Sequence, residues 1–118
     1  MRAIGSAYLL RQSPGSEAIG GLQVTLRRRQ GEVGTIVVNP TDWLSDESHA
    51  KIDYYISQAM VGINEIATEY AIPLEDFDVE LSGFLIHDVD SHPRAYYLAA
   101  KAAFRTALEM WKFRELSR

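Results

Sequence analysis

The sequence predicts an α+β fold, a two-layer sandwich with the element order βββαβα, formed by one domain over residues 1–118. Segments near residues 24 and 80 alternate apolar and polar residues, which is typical of half-buried strands. A long segment between them repeats apolar residues every three or four positions, as an amphipathic helix does. The length suits one domain with a substantial core, and the sequence contains no internal repeat.

Three strands are predicted before residue 41. The first is RAIGSAYLLRQ. The second lies in GLQVTLRRRQ, where Leu22, Val24 and Leu26 alternate with polar residues. The third lies in VGTIVVNP, a β-branched run that Asn39 and Pro40 bring to an end. QGEVG supplies glycines for a hairpin turn between the second and third strands. These strands are therefore predicted to be consecutive and antiparallel.

The first helix is predicted from about Glu47 to Tyr70, and Pro73 ends it. Gly62, in its middle, is expected to cost about 1 kcal/mol relative to alanine. EDFDVELSGFLIH then resumes the alternation of apolar and polar residues and predicts the fourth strand. The first three strands, this helix and this strand account for residues 1–87.

The last segment predicts a second helix that starts just after the fourth strand. Ser91 or Asp90 is expected to cap it, with Pro93 in its first turn. Small residues recur along it, so we expect the helix to lie close against the sheet. These residues are Ala95, Ala99, Ala102 and Ala103.

Charge is unevenly distributed along the chain, which has a net charge of −4. Residues 1–40 carry five arginines against two glutamates, residues 41–90 one lysine against twelve acids, and residues 91–118 six basic residues against two glutamates. The three segments therefore carry +3, −11 and +4. An acidic chain of this kind can still present one basic face.

Several classes of protein are not expected. The chain has no cysteine, which excludes disulfides and thiolate chemistry. It contains no phosphate-binding loop and no nucleophile motif. No apolar run approaches the length of a transmembrane helix or a signal-peptide core. We therefore expect a cytoplasmic, non-enzymatic protein with no cofactor and no membrane association.

His87, Asp88 and Asp90 form the only cluster of residues that could bind a metal or transfer protons. Such a metal site would need further ligands, and the two other histidines are in sequence contexts that suggest none. Three alternatives remain for the cluster. It is a strand-to-helix loop whose acids favour the helix N-terminus, or a binding tip, or a catalytic or metal site. The first alternative is the most economical.

Arg27, Arg28 and Arg29 are the best candidates in the sequence for contact with nucleic acid. Adjacent residues of a strand point to opposite faces, so the three cannot serve one flat surface unless the strand ends there. The alternatives are a solubilising hairpin end and a salt-sensitive phosphate contact. Two adjacent tyrosine pairs, at 54–55 and 96–97, are expected to place one member each in the core, leaving the other available for base stacking.

The sequence resembles domain IV of the translational GTPase elongation factor G. HDVDS at 87–91 is followed by a pattern of small and aromatic residues that is similar to the strand–loop–helix signature of that family. These residues are Ala95, Tyr96, Leu98, Ala99, Ala100, Ala103, Phe104 and Arg105. Tyr55-Ile56, Gly62-Ile63 and Glu65 keep the spacing of the preceding helix. QGEVGTIVV at 30–38 looks like the end of the family's glycine-rich loop and its next strand. The resemblance covers roughly residues 22–113.

The resemblance implies a left-handed crossover between the third and fourth strands and a role at the decoding centre of the ribosome. His87 matches the family histidine of a tip loop that approaches RNA, and Asp90 and Ser91 belong to the same motif. RRRQGEVG, which includes Gly31, stands where the family has its second tip loop, in a shortened form. His92 and Pro93 replace small or acidic family residues. With no GTPase domain in the chain, we expect no GTP binding by this chain alone.

Two functions follow as alternatives. In one, the chain is a stand-alone module that contacts structured RNA or the ribosome through His87, Asp90, Ser91, Gly31 and the arginines at 27–29. In the other, it is a protein-interaction or homodimerisation module that has lost RNA binding. Its acidic middle would then face a basic partner, or an exposed sheet face would pair with a second copy. Trp43 and Trp111 would anchor such an interface if they are exposed.

Overall fold

The computed structural model describes residues 2–11, 18–29, 34–37, 46–86 and 91–116. Its elements confirm the predicted α+β class and the order βββαβα. They are β1 (Arg2–Arg11), β2 (Ala18–Arg28), β3 (Thr35–Val37), α1 (Asp46–Glu69), β4 (Phe77–Leu85) and α2 (Pro93–Leu116). One 3-10 turn, Leu74–Asp76, leads into β4.

The sheet has the strand order β1-β2-β4-β3. β2 pairs antiparallel with both β1 and β4, whereas β3 pairs parallel with β4. The predicted hairpin between the second and third strands is therefore wrong, because β4 lies between them. Pairing of β2 with the nine-residue β4 makes a longer ladder than the three-residue β3 could offer. The chain crosses from β3 to β4 through α1, and the left-handed sense of this crossover stays a prediction.

The core lies between one face of the sheet and the two helices. Alternate residues of the central strands point into it, which is why their sequence has a period of two. From the strands, the buried side chains are Ala3, Leu22, Val24, Leu26, Phe77, Val79 and Leu81. Tyr96, Phe104 and Leu108 of α2, with Ile63 and Ile66 of α1, fill the other layer.

Helix α2 lies unusually close to the sheet at Gly5. A Cβ atom on Gly5 would come 2.0 Å from the backbone oxygen of Ala103. The alanines of α2 therefore have the predicted role, since larger side chains would hold the helix off the sheet. Gly62 has the same role between the helices, where a Cβ would lie 2.6 Å from the oxygen of Tyr97. Glycine at position 62 thus has an unfavourable helix propensity, but it allows α1 to pack closely on α2.

His92 caps the start of α2, and Pro93 is the first helical residue, as predicted. The amide N–H of Arg94 donates to His92 Nδ1 at 3.1 Å, and that of Ala95 to the His92 oxygen at 2.9 Å. The prediction of Ser91 as the cap is wrong, because the imidazole occupies that role. The alternative cap, Asp90, lies outside the described residues.

Candidate nucleic-acid interface

The predicted RNA-binding residues belong to opposite ends of the sheet. Ser91 forms an isolated bridge with Ile19, near the start of β2, whereas Arg27 lies near its end, opposite Asp78. Position 27 is eight steps along β2 from position 19, so at about 3.3 Å per step the two ends are about 26 Å apart. We call the region of Ser91 and the first turn of α2 the loop end, and the region of Arg27–Arg29 the arginine end.

The structure therefore does not join the predicted residues into one small site. Ser91 is at the loop end with the strand and helix that flank residues 87–90, while the three arginines are at the far end. His87, Asp90 and Gly31 themselves lie outside the described residues. The structure does not bring Ser91 together with Arg27–Arg29, because β2 and β4 run along the sheet between them.

At the loop end, Tyr96 fixes both sides of the 87–90 segment. Its hydroxyl donates to the backbone oxygen of Leu85 at 2.7 Å and lies 3.2 Å from the hydroxyl of Ser91. Because a phenol has one proton to donate, Ser91 is the donor in the second bond. Burial raises the pKa of Tyr96 to about 12, so the phenol keeps that proton at neutral pH.

A second tyrosine reinforces this anchor. The ring of Tyr55 stacks on that of Tyr96 with centroids 4.5 Å apart, and its hydroxyl lies 3.5 Å from the oxygen of Ser91. The prediction for the tyrosine pairs is confirmed: Tyr55 and Tyr96 are buried, whereas Tyr54 is 55% exposed and Tyr97 half-buried. Base stacking on Tyr54 stays a prediction.

The loop end also carries basic residues that the sequence analysis did not select. His92 and Arg94 are exposed in the cap and first turn of α2. The guanidinium of Arg94 lies 6.0 Å from the centre of the Tyr97 ring. Lys51 is exposed one turn before Tyr55 on α1. The signal for Arg94 in the sequence is its position three residues after the last residue of HDVDS, although the arginine triplet is the more conspicuous basic cluster.

Two of the three residues at the arginine end are held by contacts within the molecule. Arg28 pairs with Glu115 at 3.1 Å and covers the ring of Phe77, with 5.3 Å from its Cζ to the centroid. Arg29 donates to the oxygen of Phe77 at 3.3 Å and lies 3.7 Å from Asp78, too far for a hydrogen bond through Nε. Arg27 is exposed, and no ion pair is found for it within the described part of the chain.

Trp111 is also part of this packing. It is 5% exposed, its ring meets that of Phe77 edge-on at 5.2 Å, and its indole N–H donates to Glu115 at 2.8 Å. It therefore cannot anchor an interface as an exposed aromatic. Trp43 lies outside the described residues.

The described residues contain no group of three or more His, Asp or Glu side chains that could hold a metal ion. His87, Asp88 and Asp90 are not among them. Neither α1 nor α2, as far as the structure describes them, is long and apolar enough to cross a membrane.

A crystal structure of a protein from Thermus thermophilus is similar to this chain, with a TM-score of 0.67 and 23% sequence identity. The similarity covers 92% of this chain but 16% of the Thermus protein, so this chain spans about one sixth of that protein's length. At this identity the similarity shows the fold alone. No family model matches the chain, and no curated protein matches it.

Proposed function

We propose that this chain is a non-catalytic module, similar to domain IV of elongation factor G, that contacts structured RNA through its loop end, with the ribosome as the first candidate. The arrangement of Ser91, Tyr96 and Leu85 is the observation that carries the proposal. It ties Leu85 to Ser91, so the residues that flank the HDVD segment are held in place before binding. Groups held in place bind with a smaller loss of conformational entropy.

The fold similarity is consistent with this proposal. In the Thermus protein the matching part is a small fraction of a much longer chain, and domain IV is likewise one part of elongation factor G. The HDVDS motif supports the finer assignment, because in that family it forms a tip loop near RNA. We propose His87 as the residue that hydrogen-bonds to phosphate, base edge or 2′-hydroxyl, with Asp90 and Ser91 shaping the loop.

Arg94, which is exposed in the first turn of α2, supplies the electrostatic attraction in this proposal. Phosphate contacts from basic side chains provide most of the affinity in nonspecific RNA binding and weaken with salt. The backbone N–H groups of Arg94 and Ala95 are already bonded to His92, so the helix contributes its dipole rather than free donors. Arg28 and Arg29 are left out of the interface because contacts within the molecule hold them.

The other functional attributes are also proposals. We propose that the protein has no enzymatic activity, needs no cofactor, binds no GTP by itself and is cytoplasmic. The second candidate function is a protein-interaction module. Burial of Trp111 removes one argument for it. Strand β1 favours it, because it has one neighbouring strand within the described residues.

Co-sedimentation of the purified protein with ribosomes across a salt series tests the RNA proposal. We expect binding at low salt that weakens steadily as salt rises, and weaker binding by His87→Ala at every salt concentration. Absence of binding by the folded protein at low salt would contradict the proposal. Equal binding by the His87→Ala variant would remove that residue from the interface.

A further inference from the structure

Within the residues that the structure describes, strand β1 forms an edge of the sheet and has one neighbour, β2. It is ten residues long, and its stretch from residue 3 to residue 10, AIGSAYLL, has no charged residue and no proline. Proteins usually protect exposed edges with charges, prolines, bulges or a covering element. An unprotected edge of this length is therefore suited to pairing with another strand.

The backbone of β1 is arranged for such pairing. The guanidinium of Arg114 on α2 donates to the backbone oxygen of Arg2, so this carbonyl is turned away from β2. Alternate residues of a strand turn their N–H and C=O groups to the same side. Ile4, Ser6 and Tyr8 accordingly present theirs to the outside. Ala7 belongs to the alternate residues whose N–H and C=O groups point towards β2. Its oxygen lies 2.7 Å from the position that a Cβ atom on Gly21 of β2 would occupy.

An apolar groove runs along this edge, between β1 and α2. It has a volume of about 200 Å³. Leu98, on its helix side, is 39% exposed although it is large and apolar. The side chain of Tyr8 lies on the other face of the sheet, where its hydroxyl donates to the oxygen of Gly83 at 3.1 Å. The groove is lined by Ala7, Tyr8, Leu9, Leu98, Ala99 and Ala102. A strand added to β1 would place alternate side chains over this groove.

The charges around the groove select the kind of strand. β1 has Arg2 and Arg11 at its ends and no acidic residue, and Arg114 of α2 reaches the backbone oxygen of Arg2 at one end of the strand. A second copy that paired antiparallel through β1 would bring Arg2 of each copy beside Arg11 of the other. Like charges placed together across strands are destabilising, so the edge suits an acidic strand better than itself.

We propose that the β1 edge and the adjoining groove bind an extended, acidic segment of a partner protein by β-strand addition. The segment has small or branched apolar residues at alternate positions, which face the groove, and carboxylates at the other positions. Its backbone pairs with Ile4, Ser6 and Tyr8, and its carboxylates face away from the groove, where the carboxylate nearest the start of β1 lies by Arg2. This surface is separate from the HDVD segment and does not depend on RNA binding.

Fluorescence anisotropy with a labelled ten-residue peptide of alternating valine and glutamate tests the proposal on the full chain. We expect saturable binding, with affinity at least tenfold lower for the same peptide carrying N-methyl groups on alternate backbone amides, which cannot complete the ladder. A valine–lysine peptide is also expected to bind at least tenfold more weakly. Equal binding of either control peptide, or no binding of the valine–glutamate peptide, would overturn the proposal.

Two exposed positions provide a matched pair of variants. Leu98→Glu places a carboxylate in the groove and should weaken binding of the valine–glutamate peptide at least tenfold. Val61→Glu makes a similar change at a 45% exposed position on α1 and should leave binding unchanged. Thermal unfolding by circular dichroism checks that both fold. Equal effects of the two variants on peptide binding would overturn the proposal. A concentration-dependent dimer that Leu98→Glu alone abolishes would also overturn it, because the β1 edge would then bind a second copy of this chain.

Discussion

At the scale of single residues, the hydroxyl of Tyr96 connects two segments of the chain at the loop end. It joins the end of β4 to the residue that precedes the cap of α2, through Leu85 and Ser91. We expect Tyr96→Phe to lower the free energy of unfolding by about 1–2 kcal/mol, because one buried carbonyl loses its donor. Urea denaturation measures this, with Tyr54→Phe as the exposed control, for which we expect no more than about 0.5 kcal/mol.

The raised pKa of Tyr96 gives this residue a pH signature. Between pH 10, the ordinary tyrosine value, and about 12, the folded protein keeps a proton that the unfolded chain has lost. The free energy of unfolding should therefore fall as pH rises through this window. Tyr96→Phe should lack that part of the decrease. A variant with the same alkaline profile as the wild type would contradict the assigned hydrogen bonds.

Ala71 is held in a backbone conformation that favours glycine. Its φ is +54°, and the bonds from Ile72 N–H to the Ala67 oxygen and from Ala71 N–H to the Thr68 oxygen form a Schellman motif after α1. We expect Ala71→Gly to raise the free energy of unfolding by about 1 kcal/mol, since the left-handed conformation costs alanine about this much. Thermal and urea unfolding measure it. A loss of stability would contradict the assigned end of the helix.

At the scale of elements, the two helices are joined by opposite charges. Glu65 of α1 accepts a hydrogen bond from Tyr97 and lies 3.3 Å from Lys101, both on α2. One turn further, Glu69 lies 3.8 Å from Arg105. The acidic middle and basic end of the chain thus meet within the molecule. Less of the acidic surface is therefore free for a basic partner than the sequence indicated.

The contacts of Glu65 with Tyr97 and Lys101 predict that the stability of the protein depends on pH in the acidic range. The hydrogen bond from Tyr97, assisted by Lys101, lowers the pKa of Glu65. Glu65 therefore contributes its full stabilisation at a pH above about 4.5, which is the ordinary pKa of a glutamate. This stabilisation is lost as the pH falls through the lower pKa that Glu65 has in the folded protein. We expect Glu65→Gln to flatten the decline of the unfolding temperature in that acid range. Glu75→Gln, at an exposed residue of the 3-10 turn, should leave the decline unchanged. If both variants flatten the decline equally, the assigned contacts between Glu65 and α2 are contradicted.

The elements were largely predictable from the sequence, but the neighbours of β3 were not. Alternation at Leu22, Val24 and Leu26 defines a strand because it reflects which face is buried, and this is a local property. The neighbour of β3 in the sheet is determined by how the chain returns through α1 to form β4. No residue in or near QGEVG indicates this pairing. The capping role of His92 was missed for a related reason, since serine and aspartate are the commoner caps.

At the scale of the whole molecule, the candidate site was predictable only in part. The HDVDS motif indicated the loop end, and the structure supplies its anchor. The sequence could not show that Arg27–Arg29 lie about 26 Å away, because this separation comes from the run of β2 along β4. Nor could it show that Arg28 and Arg29 are used within the molecule. For Arg94, which follows HDVDS closely in the sequence, the structure adds that it is exposed in the first turn of α2.

The most direct test of the proposed interface compares two variants of equal charge at the two ends of the molecule. Arg94→Ala and Arg27→Ala each remove one exposed positive charge, so long-range attraction to RNA changes by a similar amount. Ribosome co-sedimentation at several salt concentrations measures both. We expect Arg94→Ala to bind severalfold more weakly than the wild type and with a shallower dependence on salt, while Arg27→Ala binds nearly as the wild type does. Stronger loss in Arg27→Ala would contradict the loop end as the RNA-binding surface.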